Sequence, residues 1–172
     1  TRVHFGYLLL QKEDLLAAEK EFQKVYAISQ SVGHRGLQVE SQAGLALVAS
    51  LRHEAASALA FIDKIVQYVD EWALLEGINV QSRVWLSTLL AAGNVRHPKT
   101  KQLAVLANNW LQTRAAEIED EILRHSFLHA VPENRQLNEI VGGTEAAEDG
   151  AKKVGLVQDE ERMINGRYIL HE

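Results

Sequence analysis

Two stretches decide how this chain reads: FGYLLLQKEDLLAAEKEFQKVYAI (Phe5 to Ile28) and LALVASLRHEAASALAFIDKIVQY (Leu45 to Tyr68). A shift of forty residues superimposes them without a gap, and WLSTLLAAGNVRHPKTKQLAVLAN (Trp85 to Asn108) follows at the same interval. Phe5, Leu45 and Trp85 then align, as do Gly6, Ala46 and Leu86, and Leu9, Ala49 and Leu89. In the second half of each unit Ala18 meets Ala58, Phe22 meets Ile62, and Val25 meets Ile65 and Val105. Phe5, Leu9 and Lys12, then Leu15, Ala18, Phe22 and Val25, fall at spacings of three and four, which gather side chains on one helix face.

Each unit therefore reads as a helix pair. The break inside it falls at Glu13–Asp14, His53–Glu54 and Gly93–Asn94, where Asp14, Glu54 and Asn94 are placed to cap the free N–H groups of the second helix. Small Gly6, Ala46, Ala18 and Ala58 allow the two helices to approach closely. One pair leaves an apolar face bare, whereas stacked pairs cover each other. The predicted helices are 2–12, 14–31, 37–51, 54–71, 77–92 and 98–127, with a short seventh over 132–141. Ser31 to Gly36 and Glu76–Gly77 are the expected turns between units.

Composition agrees. The chain has 172 residues, 47% apolar and 24% charged, with two prolines and no cysteine. That length suits one domain with a core, and the lack of cysteine removes disulfides and thiolate metal sites and fits a cytoplasmic setting. The apolar runs are too short for a membrane span, and no export leader is evident. A net charge of −5 without a basic block argues against nucleic-acid binding. A start at Thr1, directly into a helical pattern, is expected of a piece of a longer polypeptide.

The quoted residues resemble the tetratricopeptide repeat: an aromatic or leucine, a small and a large apolar residue in the first helix, then Ala, Phe and Ala-like positions in the second. The standard unit has about 34 residues, so these are long copies, and the third is poor because Pro98 stands where the small alanine belongs. The resemblance implies an all-α, right-handed helical-repeat solenoid of three pairs plus a C-terminal capping helix over residues 1–141. Residues 142–172 read as a charged linker and tail, with a hairpin signal at 161–170 around Asn165–Gly166. It further implies a non-catalytic protein–protein interaction or sensing module, like the arms of bacterial signalling ATPases, cyclases and transcription activators. Its partner would be a protein, a peptide or another domain of the same polypeptide. First helices line the concave surface in that family, so His4, Tyr7, Gln42, Arg83 and Ser87 become the candidate partner contacts. The alternative is a small-effector sensor that uses the same groove, with the tryptophans and tyrosines, Trp72 among them, as its lining.

EILRHSFLHAVPENRQL (Glu121 to Leu137) is the one stretch that resembles chemistry. Glu121, His125 and His129 share a helix face, but the order matches no common zinc motif, and a structural zinc site wants four ligands. His125 and Ser126 are neighbours, so their side chains diverge by about 100° on a helix and form no nucleophile–base pair. No metal, no cofactor and no enzymatic activity are expected. The stretch reads instead as a cap: Leu103, Leu106, Trp110, Ala115, Ile118, Ile122, Leu123, Phe127 and Leu128 make one apolar stripe, and Pro132 turns the chain into the covering helix.

Overall fold

The computed structural model describes residues 2–72, 78 and 80–142, with the side chains of 70–72 left aside. Among these residues every regular element is a helix: α1 (Arg2–Gln11), α2 (Leu15–Ser31), α3 (Arg35–Leu51), α4 (Ala55–Trp72), α5 (Gln81–Asn94), α6 (Thr100–Ala116), α7 (Glu121–His129) and α8 over 132–142. The Trp72 side chain, the Glu76–Gly77 turn and the hairpin expected at 161–170 lie outside the described residues.

One turn recurs. After α1, α2, α3 and α5 a single residue takes a left-handed conformation: Glu13 (φ 59°), Gly33 (φ 68°), His53 (φ 61°) and Arg96 (φ 53°). The next residue donates its N–H back over the turn, Asp14 to Leu9 O at 3.0 Å, His34 to Ser29 O at 2.9 Å, Glu54 to Ala49 O at 2.8 Å and His97 to Ala92 O at 2.8 Å. These bonds satisfy carbonyls that the helix end would otherwise leave orphaned. Side chains cap the helices that follow. Asp14 Oδ1 accepts from Ala17 N–H at 3.1 Å, and His34 Nδ1 accepts from Leu37 N–H at 3.2 Å. His34 and Arg35 are thus a cap and a first helical residue rather than loop, and Gly36 is buried inside α3.

Burial follows the forty-residue interval between α2 and α4, but not throughout α1 and α3, where Phe5 is exposed and Leu45 buried. Ala18 and Ala58 are fully buried, as are Phe22 and Ile62. It fails in the third pair. Burial in α5 follows α3 at an offset of 43, with Ala43, Ala46 and Ala49 matched by the buried Leu86, Leu89 and Ala92. The turn residues His53 and Arg96 show the same offset. In α6 the offset grows to 45, since the buried Ala58, Ile62, Ile65 and Val66 are matched by Leu103, Ala107, Trp110 and Leu111. Val105, aligned with Ile65 in the sequence, is exposed. Asn94 does not open α6; it ends α5 and donates from Nδ2 to Ser50 Oγ at 3.1 Å. Pro98 lies in the longer turn ahead of α6, not in the alanine position.

Phe22 is the centre of the first core cluster. Its ring lies between Gly6 and Gly44, where a Cβ would stand 2.7 and 2.5 Å from ring carbons. Tyr7 meets it edge-on at 5.0 Å. Around it gather Val3, Leu10, Ala18, Val25, Leu45 and Val48. The larger cluster runs through α3 to α6 and takes in Leu137 and Val141 of α8, with Phe127 and Leu128 packed against it. The long helix expected over 98–127 is in fact two: the chain breaks at 117–120, and Asp120 caps α7 by accepting from Leu123 N–H at 2.9 Å.

Candidate functional site

The α1, α3, α5 and α8 surfaces converge at one place. Tyr7 of α1 donates toward Glu40 O of α3 at 3.5 Å, and Ser87 Oγ of α5 lies 3.4 Å from the Tyr7 hydroxyl. The Arg83 guanidinium stacks on the Tyr7 ring at 5.0 Å. The same guanidinium donates twice to Glu133 Oε1 of α8, at 3.0 Å from Nε and 2.6 Å from Nη2. Glu133 follows Pro132, so its carboxylate also faces the opening turn of α8, where the helix dipole favours it.

The electrostatics follow from this enclosure. Burial pushes the Tyr7 phenol up to about 12, against smaller opposing effects from the Ser87 hydrogen bond and the Arg83 charge. At neutral pH it is a hydrogen-bonding hydroxyl and no base. Burial would raise Glu133 as well, yet the Arg83 hydrogen bond, a backbone N–H and the Arg83 charge together hold its carboxyl below the ordinary glutamate value. Positive Arg83 and negative Glu133 thus neutralise each other at the point where α5 meets α8.

Of the candidate contacts, His4, Tyr7 and Arg83 line one shallow depression together with Val3, Glu40, Val80 and Val84. The depression measures about 180 Å³ including its open mouth, and it has no room for a water molecule. Ser87 is buried beneath it and Gln42 is buried elsewhere, its Nε2 donating to the Tyr26 hydroxyl at 3.4 Å. Neither is an exposed contact, which corrects the sequence reading for both. Glu40 and Glu133 were missed because their partners are remote in sequence. Trp85 and Trp110 are core residues, with Trp110 Nε1 donating to Gln81 Oε1.

On α7 the His125 and His129 rings lie 4.5 Å apart and Glu121 is exposed. No group of three or more metal-ligating side chains occurs among the described residues. Ile122 and Leu123 point into solvent at 80% and 62% exposure, so the apolar stripe expected through them is absent there. Arg124 turns back instead and donates to Ile118 O at 2.9 and 2.7 Å, tying the 117–120 break to α7. No described helix is long and apolar enough to cross a membrane. Compared with family models, curated proteins and solved structures, the chain matches none.

Proposed function

We propose that this chain is a non-catalytic protein–protein interaction or sensing module of a larger regulatory protein, of the bacterial signalling kind, acting in the cytoplasm without a cofactor. In this reading the helices form a right-handed solenoid of three tetratricopeptide-like pairs, closed by α7 and α8. The four equivalent turns and the recurring burial pattern support it. The observation that carries the function is the contrast between a depression too tight for a small molecule and apolar side chains that are turned outward. Tyr7 reaches Ser87 from α1 to α5, and the depression it lines leaves no room for a water molecule. Ile122 and Leu123, by contrast, stand in water, where burial against a partner would return about 1.5–3 kcal/mol each. This favours a macromolecular partner over a small effector.

The test is site-specific photo-crosslinking in the native host, with the reactive residue placed at Ile122 or Leu123 and, as control, at exposed Gln112 of α6. Adducts to a defined protein or domain are expected from the two α7 positions and not from the control. A chain that gives no α7 adduct, and whose melting temperature is raised by a metabolite, would be an effector sensor instead.

A further inference from the structure

The helices α1, α3 and α5 differ chiefly on one side. On the side turned to its own partner helix, Val3 and Gly6 are buried like Ala43 and Ala46 and like Leu86 and Leu89. On the other side the equivalence breaks. Leu45 and Val48 of α3 are 4% and 1% exposed and belong to the cluster of Leu10, Phe22 and Val25, which are residues of the pair before them. Thr88 and Ala91 of α5, at the same positions, are fully buried. Their counterparts in α1 are Phe5 and Leu8, and these are 52% and 53% exposed. Arg2 and His4 are exposed too, whereas Gln42 and Gly44 are covered by the Tyr26 hydroxyl and the Phe22 ring of α2. The bare side of α1 is thus the side on which α3 receives a preceding helix pair.

We propose that this face of α1 docks one further helix pair of the same repeat kind, stacked ahead of α1 in the same array. The inference rests on the interaction-module reading and names one of its surfaces. The occupant is specified by continuity with the interface that α3 makes with α1 and α2, repeated one step earlier. It should present aliphatic residues, as Leu10 and Val25 do, to Phe5 and Leu8. It also differs from α2 in one respect. Gly44 leaves room for the Phe22 ring, but His4 stands at the equivalent position, and a side chain there would meet such a ring at about the 2.5 Å found for a Cβ at Gly44. The occupant therefore carries a residue smaller than phenylalanine opposite His4.

The test extends the full chain by its own repeat. Residues 2–41 are duplicated in frame ahead of residue 2, and His4→Gly in the downstream copy recreates the cradle for the upstream Phe22. The added pair is expected to raise the melting temperature by several degrees and to slow amide exchange along the downstream α1. Phe5→Ser with Leu8→Ser in the downstream copy should abolish both effects, while in the 172-residue chain the same pair of changes leaves the melting temperature nearly unchanged. Without His4→Gly the gain should shrink. An extension that leaves α1 exchange unchanged overturns the proposal. So does a 172-residue chain that dimerises with α1 protected, since the occupant would then be a second copy. The crosslinking at α7 is independent: α7 adducts without stacking at α1 defeat only this inference, and stacking without α7 adducts defeats only the functional reading.

Discussion

Gly44→Ala sets two known effects against each other at one atom. Alanine in place of glycine inside a helix favours the folded state by about 1 kcal/mol through propensity. At Gly44, however, the new methyl would stand 2.5 Å from two carbons of the Phe22 ring, where ordinary contact is about 3.5–4.0 Å. The ring must retreat by roughly 1 Å to restore that contact. It has little room to retreat: it is fully buried, the same ring carbons lie close against Gly6, and Tyr7 meets it edge-on at 5.0 Å. Overpacking of this kind costs about 1–3 kcal/mol. Because the ring is fully buried among close neighbours, the upper end applies, and the net loss is about 2 kcal/mol. A double-mutant cycle isolates the cause. With Phe22→Leu the ring is gone, and Gly44→Ala should then stabilise by about 0.5–1 kcal/mol, which makes the coupling between the two sites about 2.5–3 kcal/mol. Urea unfolding followed by far-UV circular dichroism reads all four midpoints, with an unchanged m-value showing that only stability moved. Should Gly44→Ala raise the midpoint in both backgrounds, the ring does not lie between the two glycines, and the packing of α1, α2 and α3 described above is wrong.

Asp14→Ala and Asp120→Ala should each lower stability by about 0.5–2 kcal/mol, as measured by urea midpoints, because each removes a side-chain cap from a helix start. Glu133 has a folded pKa below its unfolded one, so its contribution is complete above the ordinary glutamate value of about 4.3 and disappears as pH falls through the lower folded value. Glu133→Gln should therefore flatten that acid limb in a pH series of unfolding midpoints, besides lowering stability at neutral pH. Truncation after Arg124 removes Phe127, Leu128, Leu137 and Val141 from the main core cluster. It should replace a single cooperative melt with a broad one and produce concentration-dependent light scattering.

The first two pairs were legible in the sequence because several independent signals agreed there. Ala18, Ala58 and Phe22 recur at the interval that also places Asp14 at a helix start, and all behave in the structure as that interval requires. The third pair misled for a physical reason. An alignment of apolar residues on helices is nearly blind to a slip of three or four, since the next turn offers another apolar residue on the same face. Offsets of 43 and 45 therefore resemble 40, and Val105 matched Ile65 while facing solvent. Capping logic erred in the same place: Asn94, a good cap by type, ends α5 instead of opening α6, while Asp120, inside the helix expected over 98–127, is the residue that caps α7. Phe5 was read as an inner position and is half exposed, because its role depends on which neighbour stacks beside it. The Tyr7–Ser87 contact and the Arg83–Glu133 pair join residues 80 and 50 positions apart, a matter of how helices assemble rather than of local pattern.

The recurring turn also bears on how far this fold can be improved. Four joints share one backbone conformation, yet only Gly33 fills it with the residue that adopts it freely. Glu13, His53 and Arg96 hold the left-handed region with a Cβ attached, at a cost of roughly 1–2 kcal/mol apiece, partly balanced by glycine's own greater loss of freedom on folding. The molecule thus has slack at its corners rather than in its core. An engineer seeking a sturdier scaffold would begin at these three exposed bends, following the template already written at the fourth, and leave every packed side chain alone.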